Sequence, residues 1–231
     1  MLSCSSLKEN KSHSTKKLYK QKDPSGDFIL TREAGPSSTK DEFLVKGQLQ
    51  LKTDVLEKSI SISDIENKLL EPKISQFTIW INKKKYFSEI FRDKAGNQLI
   101  VRLIAPEPKN NGVKFSPLTT EATNLCFFSQ VIECAQFRGF FKKGLKKNNK
   151  LSLNIIWDGY PFFHQVLDNF PPKLISEATL VFEEENKTGD KLLALKIEGD
   201  EIIFELDSDN KLIKRLWVSK GVTIEKISDT L

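Results

Sequence analysis

Few residues in this chain have the type and spacing to do chemistry, and they are scattered. Of the two histidines His13 lies in the N-terminal tail, so the body holds His164 alone, and one histidine cannot supply a multi-histidine metal site. Cys126 and Cys134 are eight residues apart. If that stretch is helical, about 12 Å of axial rise separates them, beyond disulfide reach, and they read as small buried thiols. Asp207-Ser-Asp-Asn210 opens like a calcium loop, but Leu212 stands where the loop needs glycine and Val218 where it needs its closing acid. It reads as a hairpin turn. Glu183-Glu184-Glu185 reads as a solvated strand end. The sequence contains no phosphate-binding glycine loop, no nucleophile elbow and no zinc-protease helix. The expectation is a non-enzymatic protein with no metal and no cofactor.

Two further features could bind rather than react. Lys142, Lys143, Lys146, Lys147 and Lys150 follow the aromatics Phe137, Phe140 and Phe141. Lysines beside aromatics can hold single-stranded nucleic acid, another anionic polymer or an anionic membrane, and they also suit a solvated loop. The second feature is Trp157-Asp-Gly-Tyr-Pro-Phe-Phe, a strong turn signal set among rings. With Trp80, Phe127, Phe128, Phe140 and Phe141, Trp157 and Tyr160 could line an apolar cleft for an acyl chain. Packed on one another, the same rings would be core.

The elements that must position these residues are mostly strands. From Phe43 to Lys52 apolar or small residues take the odd positions and polar ones most of the even positions, the period of a sheet with one buried face. Phe77, Ile79 and Ile81 repeat the pattern. Asp93-Lys-Ala-Gly-Asn97 joins Tyr86–Arg92 to Gln98–Ala105 as a hairpin. Leu174–Glu184, Lys191–Glu198, Glu201–Leu206, Lys211–Ser219 and Val222–Ile227 are short runs rich in β-formers, separated by tight turns. They predict an antiparallel meander. Two helices are expected. Ser63-Asp-Ile-Glu66 has capping-box spacing and runs to Pro72. A longer helix spans 116–141, with Pro117 in its first turn and an apolar stripe through Leu118, Ala122, Leu125, Phe128 and Ile132.

The fold class expected is mainly β within α+β: a twisted antiparallel meander sheet, open as a half-barrel, packed on one substantial helix. Residues 1–26 read as a flexible tether, 27–42 as an edge strand and linker, and 43–231 as a single β-rich domain. The 231 residues suffice for a substantial core, and 16 Phe, 3 Trp and 3 Tyr argue against wholesale disorder. Net charge is +5, and residues 1–22 alone, with six lysines and one glutamate, account for all of it. A neutral body argues against a nucleic-acid-binding face. No apolar run approaches the ~18–20 residues of a membrane-spanning helix.

Met1-Leu-Ser-Cys4-Ser-Ser resembles the end of a bacterial lipoprotein signal, most like those of spirochaetes. Small Ser3 precedes the cysteine, and a Ser/Asn/Lys-rich stretch follows it. The resemblance implies acylation at Cys4, membrane attachment and a cell-envelope location, on the outer membrane or the periplasmic face. The basic and hydrophobic parts of such a signal would be encoded upstream of Met1. The body is more weakly similar to half-barrel envelope domains of the lipoprotein-carrier type, which implies an open curved sheet around helices and, in some members, a hydrophobic ligand. The alternative is a soluble intracellular module that binds an anionic polymer through its lysine-rich segments.

Overall fold

The computed structural model describes residues 15–24, 26–37, 42–51, 58–67, 71–81, 83–93, 95, 97–118, 124–142, 145–162 and 173–230. Among the described residues fifteen strands form a single sheet. In chain order they are β1 (Thr15–Asp23), β2 (Gly26–Pro36), β3 (Glu42–Leu51), β4 (Lys58–Asn67), β5 (Pro72–Ile81), β6 (Lys84–Asp93), β7 (Gln98–Ile104), β8 (Gly112–Pro117), β9 (Leu125–Phe127), β10 (Lys150–Ile156), β11 (Ile175–Glu185), β12 (Lys191–Ile197), β13 (Asp200–Leu206), β14 (Leu212–Trp217) and β15 (Val222–Thr230). The spatial order runs from β8 back to β1, crosses to β15, and runs back to β10 and β9. Among the described residues the sheet does not close, and β8 and β9 are its edges. All pairings are antiparallel except β9 beside β10. This is the mainly β, open architecture expected, with the C-terminal meander where the turn spacing placed it.

Four local expectations are corrected. Residues 15–23, assigned to the tether, are β1, which hydrogen-bonds to both β2 and β15 and joins the two halves of the sheet. Its inward side chains are Lys17, Tyr19 and Gln21, so the usual apolar-in alternation is hidden. Residues 26–36 are likewise an interior strand, not an edge and linker. Ser63–Glu66 belongs to β4, paired with β3 and β5 along its length. The alternation Ser59-Ile-Ser-Ile-Ser63 outweighs a capping box whose following turns lack tertiary support. The 116–141 helix is reduced to a 3₁₀ turn at Phe128–Gln130 and one α-helix, α1 (Val131–Phe137). Ser116 and Pro117 end β8, and Asn124 takes a left-handed φ of 57° that no helix can pass through.

The turns follow their residue types. Asp93 Oδ1 accepts from the Ala95 N–H in the β6–β7 hairpin, and Asp207 Oδ1 accepts from Asp209 and Lys211 between β13 and β14. The latter is the hairpin turn expected at that site.

Two apolar clusters occupy the concave side. One joins β10–β14 to α1 through Ile155, Leu180, Leu195 and Phe204. The other sets Leu125, Phe127, Ile156 and Phe162 against Phe77 and Ile79 of β5 and against β7. The β9–β10 end of the sheet therefore curls onto the inner face of β5. Each large side chain buried this way contributes about 1.5–3 kcal/mol.

Candidate functional site

The interior is crossed by two pieces of chain, 124–137 and 157–162, and a polar seam forms where the first meets β1 and β2. The register places Lys17 directly opposite Arg32 on the inner face. Like charges in that position repel, and Glu133 of α1 answers them. Arg32 Nη2 lies 2.7 Å from Glu133 Oε1 and also donates to the Ser129 carbonyl at 3.1 Å. The two side chains are 17% and 16% exposed, so this pair is screened far less than one on the surface. At the C-terminal end of α1, Phe137 meets Phe43 of β3 edge-to-face at 4.9 Å.

Beside the seam stands an aromatic cluster. Trp157 stacks on Trp217 at 6.0 Å, and Phe128 sits 4.7 Å from Trp157 and 6.0 Å from Trp217. The Arg215 guanidinium lies 5.3 Å from the centre of the Phe128 ring, a cation–π contact. Burial and then the positive charge of Arg32 lower the Arg215 pKa to about 10, against the opposing pull of Asp158 and Tyr19. Asp158 Oδ2 accepts from the Ser129 N–H at 2.7 Å, and Tyr19 donates to the Leu212 carbonyl. Lys17, Arg32 and Arg215 thus face Glu133 and Asp158 across a largely apolar interior.

The Asp158-Gly159 turn is held from both sides. Ser88 donates to the Tyr160 carbonyl at 2.6 Å, and Trp157 Nε1 donates to Ser176 Oγ at 2.9 Å. Gly159 has a φ of 74°, and a Cβ placed there would stand 2.5 Å from the Phe77 ring. Only glycine lets the turn lie flat on that ring.

Of the seven cleft candidates, six are core but not one cluster. Phe128 and Trp157 are buried together with Phe140, Phe141 and Tyr160 packed partly buried against them, whereas Phe127 is buried in the other cluster, against which Tyr160 also packs. Trp80 is on the convex face, 38% exposed, with the Lys85 ammonium 5.9 Å from its ring centre. Lys142, Lys146, Lys147 and Lys150 are exposed along the connection from α1 to β10. Phe140 and Phe141 turn inward from them, so the structure does not interleave rings with these lysines. Lys143, His164 and Cys4 lie outside the described residues.

The two body cysteines are disulfide-bonded, with Cα atoms 6.4 Å apart. The expectation of separate thiols assumed a continuous helix. Cys126 is instead in β9, and the 3₁₀ turn reverses the chain so that Cys134 of α1 comes back alongside it. Arg32, Glu133, Arg215 and Trp217 were not singled out from sequence. For Arg32 and Arg215 the one signal is a charged residue at an inward position of a strand. Among the described residues there is no group of three or more His, Cys, Asp or Glu able to hold a metal.

Known proteins add little to this geometry. No protein-family model and no curated protein matches the chain. A crystal structure of a DUF1089 family protein from Pseudomonas aeruginosa aligns over 95% of this chain and 97% of its own, with 7% identity and a TM-score of 0.41.

Proposed function

We propose that this chain is a lipid-anchored protein of the bacterial cell envelope whose open half-barrel holds the apolar part of an amphiphile, without catalysis. The observation that carries the reading is the concave face itself. It is apolar along both halves of the sheet, yet it sets Lys17, Arg32 and Arg215 beside an aromatic cluster. An acyl chain suits the apolar wall, and an acidic headgroup suits the guanidiniums.

Residues 124–137 fill that space in the present conformation. They meet β1–β3 through the Arg32 contacts to Glu133 and Ser129 and the Phe43–Phe137 contact. A ligand carboxylate or phosphate would take the place of Glu133 on Arg32, and α1 would swing from β2. The disulfide supports the compartment, since such bonds persist where thiols are not kept reduced. Cys4 in its Leu-Ser-Cys-Ser-Ser setting supports the anchor.

Native mass spectrometry tests the reading on full-length protein purified from bacterial envelopes, alone and with added fatty acid. The expected result is a lipid-sized adduct that weakens in Arg32→Gln. Protein that carries no lipid and shows no shift with fatty acid would overturn it.

A further inference from the structure

We infer that the convex face of β5–β8 rests on an anionic lipid surface. Pairing registers put Ile74, Phe91, Ile100 and Phe115 in one row across four strands, with Phe87 and Ile104 in a parallel row. All of these point away from the concave core. Large apolar side chains are conspicuously exposed here: Phe115 is 62% exposed, Ile104 52%, Val113 51% and Trp80 38%. A cluster of such residues on one sheet face marks an interaction site.

The charges around it select the occupant. Lys85 stands opposite Trp80 on this face, and Lys83 and Lys109 are exposed in the turns at its rim. The acids nearby are already engaged, Glu89 with Arg102 at 2.9 Å and Glu107 with Lys84 at 3.6 Å. A second copy of the chain would bring lysines against lysines. An anionic bilayer instead offers apolar depth for Phe115 and Trp80 and negative headgroups for the lysines, the arrangement of a protein that lies on an interface. The face is on the opposite side of the sheet from the amphiphile site, and it requires neither that site nor the acyl anchor.

The test uses the full chain as Cys4→Ala, so that no acyl group holds it to lipid. It is mixed with vesicles of phosphatidylcholine alone or with an equal amount of phosphatidylglycerol. Co-sedimentation with the mixed vesicles only, weakening as salt rises, is expected. Trp157 and Trp217 are buried at 0% and 2% exposure, so a blue shift of tryptophan emission on binding reports Trp80. Lys85→Gln with Lys109→Gln should weaken binding by about fivefold per lysine, and Phe115→Ser by about tenfold, with unfolding temperatures unchanged. The inference fails if the chain ignores phosphatidylglycerol or if these variants bind like the parent. It fails equally if the chain is a dimer in solution that Phe115→Ser dissociates, in which case a second copy covers the face.

Discussion

Removing the Cys126–Cys134 bond perturbs the seam at a point where its size can be worked out. The bond closes a short loop, with a sequence separation of 8. Restricting a loop of that length in the unfolded chain is worth about 2.5 kcal/mol in the chain-entropy account. For a chain of this size that amounts to about 5–10 °C in unfolding temperature. Cys126→Ala with Cys134→Ala is the cleaner variant, because serine would bury two hydroxyls where both sulfurs are fully buried. The closed loop contains Phe128, Ser129 and Glu133, so loosening it also loosens the partners of Arg32. Arg32→Met alone should cost about 3 kcal/mol, because Glu133 keeps its charge in a poorly solvated place. Combined with the alanine pair the two losses should differ from additive by about 0.5–3 kcal/mol. Thermal unfolding followed by circular dichroism, with and without reductant, measures each corner of that cycle. Two free thiols titrated in the unreduced folded protein beyond Cys4, or an unfolding temperature indifferent to reductant, would refute the pairing. Strict additivity would refute the coupling between loop and seam.

Gly159→Ala should cost about 3 kcal/mol, from the positive φ and the collision with Phe77, whereas Gly199→Ala, with φ of 81° and nothing within 4 Å of its new methyl, should cost about 1 kcal/mol; denaturant midpoints at constant slope check the contrast. At Asp200, burial would raise the carboxyl pKa, but hydrogen bonds from Ser219 and Lys220 and the Lys220 charge prevail, leaving it below 3.8. A carboxylate depressed in the folded state adds stability that is full above its ordinary pKa and is lost as pH falls through the lower one. Asp200→Asn should therefore reduce stability at neutral pH and flatten its decline below pH 3.8, read from urea midpoints across that range.

What was legible in the sequence follows from where each residue points. β11 to β15 are short runs rich in β-formers between tight turns such as Gly199-Asp200 and Asp207-Ser-Asp-Asn210, and both signals agree, so the meander could be read directly. β1 could not be read, because Lys17 and Gln21 point inward and Lys16, Lys20 and Lys22 outward, and such a strand looks like a polar tether. The 116–141 helix failed for another reason. Its apolar residues suit a helical stripe, but in the fold Leu125 and Phe127 are spent on the inner face of β5 and Ile132 on the opposite cluster. Periodicity reports that residues are buried, not that one element buries them. The disulfide was missed as a consequence of the same assumption. Of the site, Phe128 and Trp157 were found, and Trp217 and the charged neighbours were not.

Those charged neighbours bear on why the interior is built as it is. Lys17, Tyr19, Gln21, Arg32 and Arg215 fill inward positions where Val, Leu or Ile would continue the two apolar clusters into one. Replacing buried ion pairs by apolar side chains of similar volume is often neutral or stabilising, so stability alone gives no reason to keep Arg32 opposite Lys17. The seam instead separates the clusters and ties α1 to β2 by contacts that an anion can replace. Departures from local pattern concentrate where a protein has something other than stability to secure. The inward lysine and arginines that hid β1 from the sequence are the same groups the amphiphile reading requires, which is why Arg32→Gln, rather than the loss of any single ring, is its most discriminating variant.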